Sequence, residues 1–252
     1  HSCYNICPKK CIIMKEDQEG FWYPEVDVNQ CINCGLCEKR CPILNDMKVD
    51  NQPRAYACYN KDEIIRKGSS SGGVFTLLAS LVIEKGGIVY GATFNNENMV
   101  EHIKVDNIND LNKLRGSKYV QSKIGNTYFE IKDYLNQGRP VYFSGTPCQI
   151  DGLLAFLNKK YDNLILQDIV CHGVPSPKVW KKYLEQFNIE EDANISFRDK
   201  STGWDSYSFT IDQKEKFTQL SSQNEYMKVF LKNLCLRPSC YDCQSKSLHR
   251  NS

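Results

Sequence analysis

No apolar run in this 252-residue chain approaches the roughly 20 residues that a membrane-crossing helix needs; the longest, Val74 to Ile83, is about half that length. A soluble protein is expected. There is no excess of one charge either: 32 Lys and Arg stand against 30 Asp and Glu, a net of +2 with the signs interspersed. That leaves no basic footprint for nucleic acid, and the few Lys-rich spots read as solvated surface. The succession of charged, apolar and small residues that marks a signal peptide is missing. So are low-complexity tracts and any repeat beyond a pair of cysteine runs.

What the chain does have is cysteine, 13 of them. The count is odd and the spacing is that of metal ligands, not of a small secreted disulfide scaffold, so a reducing cytoplasm is the expected compartment. Cys31, Cys34, Cys37 and Cys41, followed by Pro42, read C-x2-C-x2-C-x3-C-P, the spacing with which bacterial ferredoxins hold iron-sulfur clusters. Three thiolates at offsets of three wrap one corner of a cuboidal cluster, and the fourth leaves the loop for a different cluster. Cys3, Cys7 and Pro8 repeat the last half of that pattern directly behind His1, so the chain reads as a fragment whose N-terminal ligands lie further upstream. The crossed rule assigns Cys7, Cys31, Cys34 and Cys37 to one complete [4Fe-4S] set and Cys3 and Cys41 to a second, truncated one. Zinc is the competing reading of four thiolates, but zinc knuckles pair two C-x2-C units across a longer spacer.

The predicted architecture is α+β: a small bacterial-ferredoxin-like domain over residues 1–45, with a turn and aromatic hairpin within Gly20 to Val28, then a larger mixed α/β domain over 54–252. Asn45 to Arg54 is the expected linker. Predicted strands in the larger domain are Arg54 to Tyr59, Ile88 to Phe94, Val100 to Val105, Val141 to Phe143, Leu164 to Val170, Ile195 to Phe197 and Tyr207 to Ile211. Predicted helices are Gly73 to Glu84, Ile124 to Gln137, Pro177 to Phe187 and Glu225 to Leu234.

Four segments of that domain point to chemistry. Gly68-Ser69-Ser70-Ser71-Gly72-Gly73 opens a helix with bare backbone N–H groups, suited to a pyrophosphate or simply to a helix cap; no Lys stands where a P-loop requires one. Leu114-Arg115-Gly116-Ser117-Lys118-Tyr119-Val120-Gln121-Ser122 offers cations for phosphate and a ring to cover a ligand, as a solvated loop also would. Gly145-Thr146-Pro147-Cys148-Gln149 and Cys171-His172-Gly173 each follow a strand, where open α/β sheets place their sites. With Cys235, Cys240 and Cys243 these supply five thiols for four corners of another [4Fe-4S] cluster; Cys148, Cys171, Cys240 and Cys243 are the preferred set and Cys235 a packed residue, against the alternative that all are buried small hydrophobes. Cys11 and Cys58 read as core. His172 as a lone His reads as structural, with Lys118 and Lys200 as further candidate proton donors.

Together with Ser196-Phe197-Arg198-Asp199-Lys200, Gly203-Trp204 and Leu236-Arg237-Pro238-Ser239-Cys240-Tyr241-Asp242-Cys243, these motifs resemble the coenzyme F420 hydrogenase/dehydrogenase beta-subunit family in its form with a fused ferredoxin domain. The resemblance implies an FAD-binding flavoprotein that passes electrons between [4Fe-4S] clusters and a two-electron donor or acceptor, with a redox protein or a small redox coenzyme as partner. Carried over by motif, Gly72, Gly73, Ser117, Lys118 and Tyr119 become flavin contacts, and the cysteines of GTPCQ, CHG and C-x2-C the inner cluster. Members continue beyond the position of Ser252, so truncation at both ends is expected. A non-catalytic electron-transfer subunit or adaptor without flavin is the alternative, and a zinc-stabilised interaction protein the third.

Overall fold

The computed structural model describes residues 1–45, 47, 52–246 and 250–251; part of the expected linker, residues 46 and 48–51, lies outside the described residues. The N-terminal module consists of helix α1 (Ser2–Ile6), the antiparallel hairpin β1 (Ile12–Glu16) and β2 (Trp22–Val26), and the single turn α2 (Leu36–Lys39). Asp17 closes the hairpin turn by accepting the N–H groups of Glu19 and Phe21 at 3.0 and 2.8 Å. Only Cys11, Ile12 and Phe21 give this module a buried apolar interior, too little to hold such a fold by burial alone.

The module is docked against the larger domain. The Ser176 hydroxyl donates to the Glu19 carbonyl, Lys178 Nζ donates to the Gln18 carbonyl at 2.9 Å, and a Cβ on Gly20 would stand 2.5 Å from that of Lys178. Gly20 is therefore fixed twice, by close approach and by its φ of +89°. Arg237 donates to the Trp22 carbonyl at 3.2 Å and lies 4.1 Å over the Tyr23 ring.

After the single-turn helix α3 (Glu63–Lys67), the larger domain is built on a four-stranded sheet of order β4-β3-β5-β6, from β3 (Ile88–Phe94), β4 (Val100–Val105), β5 (Val141–Gly145) and β6 (Leu164–Asp168). The β3, β5 and β6 strands are parallel, and β4 returns antiparallel at the edge. The predicted turn Asn95 to Asn98 forms because the Asn95 side chain accepts the N–H groups of Glu97 and Met99, both at 3.0 Å, while Asn98 takes a φ of 56°.

Alternation sorts the side chains onto two faces. Ile88, Tyr90, Val141 and Phe143 pack under α5 (Thr127–Asn136) and α6 (Pro147–Leu157), whereas Val89 and Tyr142 pack under α4 (Val74–Glu84) and a 3-10 turn over Ile108–Leu114. A second sheet, β7 (Asn194–Asp199), β8 (Ser208–Asp212) and β9 (Phe217–Leu220), wraps with α7 (Pro177–Leu184) and α8 (Glu225–Leu231) around the fully buried Trp180. Both parts fit an α+β fold with a mixed α/β domain.

One local expectation changes, and two further elements carried no expectation. Arg54 to Tyr59 is extended and exposed but joins no sheet; it runs past the glycine-rich loop, where Asn60 N–H reaches the Gly72 carbonyl at 2.7 Å. Strand β9 and the 3-10 turn lacked a readable period, β9 because its four residues, Phe-Thr-Gln-Leu, are short and half polar.

Candidate cofactor sites

The C-x2-C-x2-C loop is shaped by backbone that reverses twice, with Asn33 at φ 53° and Gly35 at φ 68°. Cys7, Cys31, Cys34 and Cys37 line one small cavity whose other walls are mainly apolar, among them Pro8, Ile12, Val26, Ile32 and Leu36. Cys11 lines it too. It is buried, as a core residue would be, but its Sγ faces the Cys7 Sγ at 3.4 Å. The hydrogen bond with Cys7, followed by burial, pushes the Cys11 thiol up to about 11. The sequence signal for this was its place four residues after Cys7, across a Pro-containing turn.

The second site is an open cleft of about 2010 Å³, larger than the several hundred cubic ångströms typical of one ligand pocket. Cys3 and Cys41 border it from the ferredoxin side, and Cys148, Cys240 and Cys243 from the other. Cys148 occupies the first turn of α6, entered through a capping box of Thr146 and Gln149 with Pro147 at the helix start. Cys171 follows β6. Its loop is stitched to the C-terminal cysteine segment by an isolated antiparallel bridge between Pro175 and Leu236, in which Arg237 N–H donates to Val174 O at 2.8 Å and Ser176 N–H to Cys235 O at 2.9 Å.

This stitching gathers the thiols. Burial first, and then the charges of Cys148, Cys240 and Cys243, push Cys171 up to about 12; burial likewise raises Cys148 and Cys240. Two sulfurs have polar neighbours: the Val174 N–H donates to Cys240 Sγ at 3.4 Å, and Thr146 Oγ1 lies 3.2 Å from Cys148 Sγ. Cys235 is buried away from the cleft and uses its backbone to hold the bridge. Among the described residues no three His, Cys, Asp or Glu side chains converge as around a single ion. A cuboidal cluster engages each thiolate at a different iron, and four-thiol sets with apolar walls or sulfur-directed N–H groups have the chemistry it requires.

The cleft continues to the glycine-rich loop. Ser117 Oγ donates to Ser70 Oγ at 2.8 Å, joining the two predicted ligand segments. Gly73 begins α4 at φ +80°, and a Cβ on Gly72 would stand 2.8 Å from the Cys58 carbonyl, so the strap over residues 54–60 itself demands that glycine. Cys58, expected in the core, is exposed and borders the cleft, because its strap has no sheet to be buried in. Tyr119 is not among the cleft's lining; its ring packs 5.4 Å from Phe197 and 4.8 Å from Phe230, where the apolar core outcompetes a solvated cover role. His172 is exposed against the edge of Phe230, and Lys200 donates to the Arg66 carbonyl at 3.0 Å beneath Trp204, outside the cleft.

Lys118 Nζ donates to the carbonyls of Lys113, Arg115 and Gly116, at 3.1, 2.7 and 3.4 Å, with its stem along the cleft. Burial of the ammonium pushes its pKa down to about 7. Two lining residues had no role assigned from the sequence: His102, outside every quoted segment, and Gln121, within the Leu114 to Ser122 segment. His102 accepts from Ser122 Oγ through Nδ1 at 2.6 Å and donates through Nε2 to the Ser144 carbonyl at 3.1 Å, a tautomer fixed because a carbonyl only accepts. Burial pushes it down to about 4, so it is neutral at physiological pH. Gln121 Oε1 and Arg115 Nε are buried without hydrogen-bond partners, orphaned polar atoms that suit a ligand carrying both N–H groups and phosphate. A single polar residue on a strand carries no motif, so His102 was not legible, and Gln121 in its loop reads like any solvated amide.

A family model that describes the C terminus of the beta subunit of coenzyme F420 hydrogenase/dehydrogenase matches residues 138–250. The 7Fe ferredoxin of Hydrogenibacillus schlegelii is 40% identical over 58 residues, which are 23% of this chain and 68% of that protein. The NADH-quinone oxidoreductase subunit I 2 of Geobacter metallireducens is 32% identical over 75 residues, 26% of this chain, and the chain spans 57% of that relative's length. Among solved structures, a chain of the F420-reducing [NiFe] hydrogenase complex from Methanosarcina barkeri has 16% identity and a TM-score of 0.48, over 77% of this chain and 69% of that one.

Proposed function

This chain belongs to the coenzyme F420 hydrogenase/dehydrogenase beta-subunit family and carries a ferredoxin-type module ahead of the matched region; from that premise we propose that it is an iron-sulfur flavoprotein oxidoreductase. In this reading Cys7, Cys31, Cys34 and Cys37 hold one [4Fe-4S] cluster, Cys3 and Cys41 contribute to a second, and Cys148, Cys171, Cys240 and Cys243 hold an inner one. The glycine-rich loop, Ser117 and Lys118 would hold FAD in the cleft, and FAD would supply two-electron exchange with a redox protein or a small redox coenzyme. The compartment is a reducing cytoplasm.

One observation carries the reading: the cleft that Cys3, Cys41, Cys148, Cys240 and Cys243 line also contains the Ser70–Ser117 pair, Arg115 and Lys118. Clusters exchange single electrons whereas a flavin takes one or two, so together they supply the conversion between one- and two-electron chemistry.

The protein's own residues bind and position. Apolar walls around the first cysteine set keep water away, and the Val174 N–H and Thr146 hydroxyl hydrogen-bond inner sulfurs, which makes a cluster easier to reduce. Arg115 and the glycine-rich loop neutralise a pyrophosphate. Lys118, with a pKa of about 7, holds or releases a proton at Nζ near neutral pH. His102 is the fixed, neutral wall of the cleft.

The test is anaerobic purification with quantification of iron, acid-labile sulfide and flavin. Iron and sulfide with stoichiometric FAD support the oxidoreductase; iron and sulfide without flavin support the electron-transfer adaptor. Colourless, iron-free, zinc-replete protein overturns both.

A further inference from the structure

Five thiols, not four, face the first cysteine cavity, and the extra one sits where a ligand would be replaced. We propose that Cys11 is a reserve ligand of that site, taking the fourth iron position when Cys7 does not; this rests on the cluster reading above.

The local geometry explains how it is held in place. Cys7 ends α1, Pro8 opens a turn closed by Lys10 N–H on the Cys7 carbonyl at 3.2 Å, and Lys10 takes a φ of 51°. This reversal returns residue 11 to residue 7, with the sulfurs 3.4 Å apart. That separation is well beyond the roughly 2.05 Å of a disulfide, so both thiols are free. Cys11 is anchored independently of Cys7: it leads into β1, and its carbonyl accepts the N–H of Asp27, the residue after β2, at 2.8 Å. An inert core cysteine would turn its sulfur into apolar side chains, but Cys11 turns it toward Cys7 and borders the same cavity as Cys31, Cys34 and Cys37. Losing Cys7 from the site therefore leaves a thiol 3.4 Å from the vacated sulfur position.

The exchange balances without any oxidant or reductant. The Fe–S bond to Cys7 breaks and one to Cys11 forms; Cys11 gives up its thiol proton, and Cys7, where it is still present, takes one up.

The experiment uses the full chain purified anaerobically, with iron, sulfide and EPR of the reduced protein as readouts. Cys7→Ala is expected to retain the iron of the wild type with a changed EPR line shape, whereas Cys7→Ala/Cys11→Ala loses one cluster's worth, as does Cys34→Ala, whose exposed thiol has no such neighbour. Iron loss in Cys7→Ala equal to that of the double variant overturns the proposal. Should Cys7→Ala not fold, Cys11→Ala decides: cluster bleaching by a chelator is expected several-fold faster than in wild type, and an unchanged rate overturns it. Wild-type protein devoid of acid-labile sulfide instead sinks the oxidoreductase reading from which the proposal starts.

Discussion

The hydroxyl of Ser117 donates to that of Ser70 across 2.8 Å, tying together two loops 47 residues apart in sequence. Neither hydroxyl is needed for the core. Ser117→Ala should weaken FAD binding by roughly tenfold, about 1.4 kcal/mol, within the range for loss of a part-buried hydrogen bond and the loop order it maintains. Flavin fluorescence titration measures this, and unchanged affinity would place FAD elsewhere.

Lys118 gives anion binding a pH dependence. Its pKa falls from 10.5 to about 7 in the free protein, so above about pH 7 an anionic ligand must recruit a proton to meet an ammonium there. Binding of FAD is therefore expected to take up a proton and to weaken as pH rises from 7 toward 10. Calorimetry in buffers of different ionisation enthalpy reads the uptake directly, and Lys118→Met should abolish it.

His102 predicts an acid limit to stability. Its pKa drops from 6.5 in the unfolded chain to about 4 in the fold, so between those values the unfolded state binds more protons and stability falls as pH falls. The loss amounts to about 3 kcal/mol once pH is below 4. Denaturant melts across this window should show the slope in wild type and not in His102→Asn, whose amide does not titrate.

The inner cysteines separate from their neighbour. Cys148→Ser and Cys171→Ser should each remove one cluster's worth of iron, whereas Cys235→Ser, altering a packed side chain whose backbone alone holds the bridge, leaves the iron content unchanged. Full iron content in the first two variants would defeat the inner-cluster assignment.

Arg237 ties the two modules. Arg237→Ala removes a charged hydrogen bond to Trp22 and the guanidinium over Tyr23, worth about 1–3 kcal/mol together. Amide exchange in β2 should speed up selectively, while exchange in β5, buried beneath two helical layers, stays slow.

Much of this was legible in the chain itself. Metal-ligand spacing is local, so Cys31 to Cys41 declare their chemistry without a fold, and the apolar run Ile88 to Phe94 followed by the turn Asn95 to Asn98 and Val100 to Val105 reads as a hairpin. Tertiary structure decided the rest, because it depends on which distant segments meet. The Pro175–Leu236 bridge is two hydrogen bonds that no motif encodes, yet it brings Cys171 to Cys240. The aromatic core drew Tyr119 inward, the strap without a sheet left Cys58 exposed, and a reversed turn at Lys10 set Cys11 against Cys7. Spacing fixes which side chains can act; only packing, summed over the whole chain, fixes which of them face one another.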